Sequence, residues 1–232
     1  MPLILIYLAT ALAAYLLGSI PTGYLVAKTK GIDIRSVGSG NIGATNAMRV
    51  LGKPAGIFVL LLDALKGFVA CKFLPPLVFN WIAPHFPYTA GYFDAPLNVQ
   101  PADLEMKFTV VAGISAVLGH NYTCWLKFKG GKGIATTAGV FLALAPWALL
   151  AALVVFTVAL LLTKYVSVAS MSSAVALPAA VWLMTPQNVL LGIVASALGV
   201  LAIYKHKGNL QRLIAGTENR LGKKTSTTGE TK

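Results

Sequence analysis

Long apolar runs separated by short polar segments dominate the sequence. The runs cover residues 2–27, 54–77, 106–126, 134–163, 165–184 and 187–204. Each is close to or above the ~20 residues that a helix needs to cross the hydrocarbon core of a bilayer. They do not alternate polar and apolar residues, as the strands of a transmembrane barrel do. Because lipid offers the backbone no hydrogen-bond partner, the runs predict the helices of an all-α polytopic membrane protein.

The composition agrees with this class. Hydrophobic residues make up 56% of the chain and charged residues 11%, whereas a soluble domain is about 25% charged. Cys71 and Cys124 lie in or beside apolar runs, and their spacing is not that of a metal site. The first run has no basic residue before it, which indicates a retained helix rather than a cleaved signal peptide. We expect no metal ion, no cofactor and no nucleic acid partner.

The charges are distributed unevenly, and the net charge is +12. Lys and Arg residues crowd three parts of the chain, here called the first, second and third basic segments: residues 28–53, 127–132 and 205–232. The loop 78–105 contains three acidic residues and no Lys or Arg. The positive-inside rule therefore predicts that the three basic segments are cytoplasmic and that this loop lies outside.

This sidedness also predicts the number of helices. Six crossings would put the first and third basic segments on opposite sides of the membrane. The run 134–163 has Pro146 near its middle, and proline ends or kinks a helix because it has no N–H to donate. Two helices over 134–145 and 147–163 resolve the conflict. The prediction is seven transmembrane helices, with the N-terminus outside and the C-terminus in the cytoplasm.

The first basic segment contains a run of glycines and small polar residues, residues 38–46, followed by Arg49. The run fits G-x-G-x-x-G, but a dinucleotide fingerprint follows a strand, whereas a membrane helix precedes this run. Glycine turns still allow backbone N–H groups to approach an anion closely. Arg49 adds a planar group suited to phosphate. The residues favour anion binding, and a flexible loop between helices is the alternative.

The second basic segment is followed by the start of a predicted helix and includes Gly130-Gly131-Lys132-Gly133. It is not a Walker A loop, because Gly133 follows the lysine where Ser or Thr is required. Glycines and a lysine at a helix N-terminus are nevertheless typical of phosphate binding. The alternative is a lysine cluster that anchors the protein to anionic lipid.

The third basic segment begins beside His206 and Asn209, which are three residues apart and share one face of a helix. Cationic neighbours such as Lys205 and Lys207 favour the neutral form of the histidine, and a neutral imidazole can accept a proton. The alternative is a basic tail that only follows the last crossing.

Charged and titratable residues also occur inside the apolar runs. Asp63 and Lys66 are spaced i, i+3 in the second run. Charges within the membrane are costly and often functional, but this pair can also neutralise itself. A structural pair and a pair that supports a site both remain open. His120, near the inner end of the third run, has the same two interpretations.

Together, the three segments resemble the bacterial membrane family of acyl-phosphate:glycerol-3-phosphate acyltransferases, from about Leu16 to Glu218. Lys207 stands where the family usually has arginine, Gly208 replaces a larger polar residue, and no presumed site residue is missing. The matching residues are Gly38-Ser39-Gly40-Asn41, Gly43-Ala44-Thr45-Asn46 and Arg49; Gly119-His120 and Phe128-Lys129-Gly130-Gly131-Lys132-Gly133; and His206, Asn209, Arg212-Leu213, Gly216 and Glu218.

The resemblance implies a seven-helical enzyme of the bacterial cytoplasmic (inner) membrane, with its site facing the cytoplasm. It implies transfer of an acyl group from acyl phosphate to the 1-hydroxyl of glycerol 3-phosphate, the first step of phospholipid synthesis. The products are 1-acyl-glycerol 3-phosphate (lysophosphatidic acid) and phosphate. We expect a single domain over 1–220 and a disordered polar tail over 221–232.

The resemblance also implies roles for individual residues of the site. Catalytic roles are expected for His206, Asn209 and Ser39. Phosphate binding is expected for Ser39, Gly40, Asn41, Thr45, Asn46, Arg49, Gly130, Gly131, Lys132 and Gly133. Supporting roles are expected for Asp63, Lys66, His120, Arg212 and Glu218.

The sequence also limits the mechanism. No HxxxxD motif follows any of the three histidines, and none of the three signatures contains a cysteine. We therefore expect direct transfer without an acyl-enzyme, with either His206 or a substrate phosphate taking the proton of the alcohol. A transporter of a phosphorylated anion is the alternative function, and a lipid-binding scaffold is a third.

Overall fold

The computed structural model describes residues 3–78 and 101–222, and every regular element in this part of the chain is helical. A 3-10 turn covers Cys124–Leu126. The α-helices are α1 (Leu3–Ser19), α2 (Thr22–Lys28), α3 (Ala44–Leu51), α4 (Lys53–Lys72), α5 (Leu74–Leu77), α6 (Pro101–Asn121), α7 (Ile134–Leu144), α8 (Pro146–Thr163), α9 (Val166–Met184), α10 (Val189–Lys205) and α11 (Lys207–Ile214).

The helix boundaries agree with the apolar runs in most places. The predicted break near Pro146 is present, since α7 ends at Leu144 and α8 begins at Pro146. The first run is also divided, at Pro21 between α1 and α2, because proline has no N–H for the helical hydrogen bond. Helix α6 begins at Pro101, within the loop predicted to be external. The rest of that loop, 79–100, and the tail 223–232 lie outside the described residues.

The helices form a multi-pass membrane protein. Within the described residues, four stretches are long and apolar enough to cross a bilayer, and α10 with α11 makes a fifth, bent by 51°. Apolar side chains cover the outer surface: Leu162 is 77% exposed and Leu183 is 82% exposed. Only a lipid environment accommodates so much apolar surface on so many helices. Seven crossings and the orientation of the termini remain predictions.

Among the most extensive helix contacts are those between α1 and α6, α4 and α7, α8 and α9, and α9 and α10. The largest apolar core lies among α6 to α10 and includes Phe141, Val181 and Leu191, all almost completely buried. This core fixes the positions of the helix ends that carry the second and third basic segments.

The crossing of α4 and α7 depends on two glycines. A Cβ atom on Gly67 would overlap the carbonyl of Thr136, and one on Gly139 would overlap the carbonyl of Ala64. Small residues allow helices in membranes to approach closely. The close approach brings the charged residues of α4 next to the start of α7.

We expect Gly139→Val to separate α4 from α7, because the added side chain has no space beside Ala64. Overpacking of this kind lowers the free energy of unfolding by roughly 1–3 kcal/mol. Thermal unfolding in detergent measures the effect. Leu142→Val, on the exposed face of the same helix, is the control and should change stability little. Equal unfolding temperatures for the two variants would show that the crossing is not tight.

Candidate active site

The three basic segments converge on one cavity with about 860 Å³ of empty space, part of it open to solvent. Five predicted site residues do not line it: Gly40, Lys66, Gly130, Gly131 and Arg212. The predicted residues that line it are Ser39, Asn41, Thr45, Asn46, Arg49, Asp63, His120, Lys132, Gly133, His206, Asn209 and Glu218.

Asn46 shapes the first basic segment from inside. It is 1% exposed, and its Nδ2 donates to the carbonyls of Ile34, Val37 and Asn41 at 3.2, 3.1 and 2.9 Å. Its Oδ1 accepts the backbone N–H of Ser39 at 2.8 Å. Because both ends of the amide are engaged, Asn46 holds the loop, and its contact with phosphate remains a prediction.

The loop leaves other polar groups available to the cavity. The side chains of Ser39, Thr45 and Arg49 line it and make no hydrogen bond to any described residue. Gly38 and Gly40 have φ of 62° and 70°, a conformation that glycine adopts without steric cost. These glycines turn the chain so that Ser39 projects between them, which suits the predicted binding of an anion.

The second basic segment is docked against the end of α6. The N–H of Gly130 donates to the carbonyl of Asn121 at 3.2 Å, and that of Gly131 donates to the carbonyl of His120 at 2.9 Å. A Cβ atom on Gly131 would overlap the His120 imidazole. These glycines therefore permit close packing, and their amides are not free for phosphate. Lys132 and the first turn of α7 line the cavity instead, and a helix N-terminus attracts anions.

A chain of hydrogen bonds joins the second and third basic segments. Lys132 Nζ donates to Asn209 Oδ1, and Asn209 Nδ2 donates to Glu218 Oε1 at 2.7 Å. Arg212 Nε donates to Glu218 Oε2 at 2.7 Å, and Ser167 Oγ donates to Oε1 at 2.9 Å. The Glu218 side chain is 6% exposed. Glu218 therefore holds both Asn209 and Arg212 in place.

Helix α9 contributes two residues that none of the three basic segments predicts. Ser167 and Ser170 both line the cavity and are both buried. Their i, i+3 spacing in a mostly apolar run is the signal that predicts a polar helix face. The other side of the cavity is apolar and includes Phe156 and Leu60. Leu60 is also 44% exposed, so the cavity reaches the lipid-facing surface.

His206 presents a proton acceptor. Its Nδ1 lies 2.8 Å from the carbonyl oxygen of Ala202, and a carbonyl only accepts, so Nδ1 carries the proton and Nε2 has a free lone pair. Burial, together with the charge of Lys132, lowers the pKa of His206 to about 4. The ring is therefore neutral near pH 7.

The charged residues around the cavity are tuned by their surroundings. Burial, helped by the charges of Arg212 and Arg49, lowers the pKa of Lys132 to about 8. Burial alone raises the pKa of Glu218, but hydrogen bonds from Asn209 and Arg212 outweigh it and hold that pKa below its usual range. Near pH 7 the network thus contains a carboxylate, Glu218, and a lysine, Lys132, that is still mostly protonated but loses its proton at a lower pH than an ordinary lysine.

The family described as glycerol-3-phosphate acyltransferase matches residues 8–216. The chain belongs to this family. It is 42% identical to the glycerol-3-phosphate acyltransferase of Geotalea daltonii over 208 residues, which are 90% of this chain and 94% of that protein. It is 44% identical to the enzyme of Thermosynechococcus vestitus over 215 residues, which are 91% and 93% of the two chains.

Two solved structures are similar to this chain throughout. The first is the glycerol 3-phosphate form of PlsY (YgiH), an integral membrane glycerol 3-phosphate acyltransferase, with a TM-score of 0.76 and 37% identity over 93% of this chain and 96% of that one. The second is the lysophosphatidic acid form, with a TM-score of 0.74, 36% identity and coverage of 93% and 95%. The predicted family is confirmed: the chain is an integral membrane glycerol-3-phosphate acyltransferase.

The lowered pKa of Lys132 predicts how activity depends on pH. Above about pH 8 the side chain loses its proton and with it the attraction for a phosphate, so kcat/KM for the substrate whose phosphate it binds should fall up to tenfold per pH unit. The second pKa of a phosphate ester, ≈ 6, lies too low to cause this. In Lys132→Arg the guanidinium stays charged, and the decline should disappear. The same decline in both proteins would assign it to another group.

Glu218→Gln should reduce kcat roughly ten- to a hundredfold, because it weakens hydrogen bonds that a carboxylate makes to Arg212 and Asn209. Steady-state kinetics at neutral pH measures the effect. The matched control is Asp33→Asn, which breaks an exposed ion pair with Arg35 and should leave kcat within about twofold. Equal activity of the two variants would show that the Glu218 network does not support catalysis.

Proposed function

We propose that the chain transfers an acyl group from acyl phosphate to the 1-hydroxyl of glycerol 3-phosphate, releasing 1-acyl-glycerol 3-phosphate and inorganic phosphate. One observation carries the proposal. A single cavity contains two cations, Arg49 and Lys132, beside a neutral histidine, and its apolar side reaches the lipid-facing surface. Two phosphorylated substrates, one with an acyl chain in the membrane, match these features.

The two phosphates are bound by different parts of the cavity. Lys132 and the first turn of α7 bind one of them, with the helix N-terminus adding to the charge of the lysine. Arg49 binds the other together with Thr45, and the side chains of both make no hydrogen bond to any described residue. The Ser39 hydroxyl has a single proton to donate, so we assign it to the oxyanion rather than to a phosphate. Either phosphate fits either position, because each position supplies one positively charged side chain and neutral hydrogen-bond donors.

The reaction needs one proton acceptor and one donor to the oxyanion. The 1-hydroxyl oxygen attacks the acyl carbonyl, its proton passes to His206 Nε2 or to a substrate phosphate oxygen, and the tetrahedral intermediate expels phosphate. Because the pKa of His206 is about 4, any proton it takes moves readily to the leaving phosphate. Asn209 is engaged at both ends, so Ser39 is the better donor to the oxyanion, an effect worth ~2.7–4 kcal/mol.

The transfer proceeds in a single displacement. Among the described residues that line the cavity there is no cysteine, and Cys71 is buried in the core among α6 to α10. The positive-inside distribution of Lys and Arg supports a location of the cavity on the cytoplasmic side of the inner membrane.

The experiment uses the purified protein with glycerol 3-phosphate and either acyl phosphate or the matching acyl-CoA. With acyl phosphate, phosphate and 1-acyl-glycerol 3-phosphate should form in equal amounts, and acyl-CoA should give no product. Use of acyl-CoA alone would contradict the donor that we propose.

His206→Gln should lower kcat roughly 10²–10⁴-fold. Mass spectrometry after incubation with acyl phosphate alone should show no acylated protein, and an acyl adduct would overturn single displacement.

A further inference from the structure

Three buried titratable residues have no part in the mechanism above. Asp63, Lys66 and His120 are 2%, 6% and 5% exposed. Lys66 Nζ lies 2.9 Å from Asp63 Oδ1 and 2.9 Å from His120 Nδ1. The group joins α4 to the end of α6, and Asp63 and His120 line the cavity. Buried charges cost more than an apolar pair would, so their position beside the site calls for a role.

The hydrogen bonds around Lys66 define the tautomer of His120. An ammonium has three protons and no lone pair, and Lys66 has three acceptors: Asp63 Oδ1, His120 Nδ1 and, at 3.1 Å, the carbonyl of Ile20. A proton on Nδ1 would point at this ammonium. The nearest alternative acceptor, Asp63 Oδ1, is 3.6 Å from Nδ1, beyond hydrogen-bonding distance. Nδ1 is therefore the unprotonated nitrogen, and Nε2 carries the proton.

The protonated nitrogen lies beside the second basic segment. His120 Nε2 is adjacent to Gly131, the residue before Lys132, and it makes no hydrogen bond to any described residue. The ring is held in this orientation, because Lys66 donates to Nδ1 and Gly131 packs against the imidazole. The result is an unused N–H donor on a residue that is 95% buried, in the wall of a cavity for which we propose phosphate binding.

We propose that His120 Nε2–H donates a hydrogen bond to a substrate phosphate, and that Lys66 is a positioning residue that fixes the required tautomer. Asp63 balances the charge of Lys66, and Thr22 Oγ1 supports Asp63 by donating to its Oδ1 at 3.1 Å. A neutral donor adds a contact to the phosphate without adding another charge to the cavity. The phosphate belongs to glycerol 3-phosphate or, resting on the proposed function, to acyl phosphate.

Two substitutions of His120 separate this role from a structural one. Asn places its amide near the position of Nδ1, so His120→Asn keeps an acceptor for Lys66 but removes the distal donor. Gln places its NH₂ near the position of Nε2, so His120→Gln keeps the distal donor but removes the acceptor for Lys66. A purely structural histidine predicts that Asn is tolerated and Gln is not. The proposal predicts the reverse.

Steady-state kinetics of the full-length protein, with each substrate varied in turn, gives the test. For His120→Asn we expect a KM roughly ten- to a hundredfold higher for one substrate, the loss expected for one hydrogen bond to a charged group. A higher KM for glycerol 3-phosphate assigns the donor to the acceptor substrate, and a higher KM for acyl phosphate assigns it to the acyl donor. His120→Gln should keep KM within about threefold. Unchanged KM values in a folded His120→Asn protein would overturn the proposal.

A second measurement does not depend on activity. In the ¹⁵N spectrum of the histidine-labelled parent protein, with the signals of His120 assigned by their loss in His120→Gln, Nδ1 should have the shift of an unprotonated nitrogen and Nε2 that of a protonated one. The opposite pattern would overturn the tautomer assignment. Failure of the parent protein to use acyl phosphate would instead contradict the proposed function and leave the glycerol 3-phosphate arm intact.

Discussion

The chain of hydrogen bonds from Lys132 through Asn209 to Glu218 is the interaction on which the rest of the site depends. It joins the start of α7 to α11 and to the segment after it, and Ser167 extends it to α9. Without the carboxylate of Glu218, the cations around the cavity would repel one another at close range in a partly desolvated space. The network lets a membrane protein keep several positive charges together for substrates that bring negative charge.

The Nε2 atoms of the two buried histidines beside the cavity have opposite hydrogen-bonding roles. His206 donates its Nδ1 proton to Ala202 and leaves an acceptor at Nε2, whereas His120 accepts from Lys66 at Nδ1 and carries its proton at Nε2. One residue type supplies both a proton acceptor and a hydrogen-bond donor, because the partner of one nitrogen determines the state of the other. Neither arrangement adds net charge to the cavity near pH 7.

Breaks in the helices provide the polar contacts that hold this arrangement. Proline at position 21 interrupts the first run, and the carbonyl of Ile20 at the break accepts a hydrogen bond from Lys66. At Pro146 the chain leaves α7 and begins α8, which packs against α9. The first turn of α9 lines the cavity. In a bilayer an unpaired carbonyl is costly, so each break is stable only where a side chain or a turn satisfies it.

Sequence alone determined the helical membrane class, the break near Pro146 and the family, because long apolar runs and three ordered signatures are local patterns. It also selected most of the residues that line the cavity. Only the tertiary structure decided what each does: Asn46 holds its own loop, Gly130 and Gly131 pack against His120, and Ser167 joins the Glu218 network. Residue type sets which hydrogen bonds a side chain is able to make, but its partners lie up to 107 residues away, and packing alone determines them.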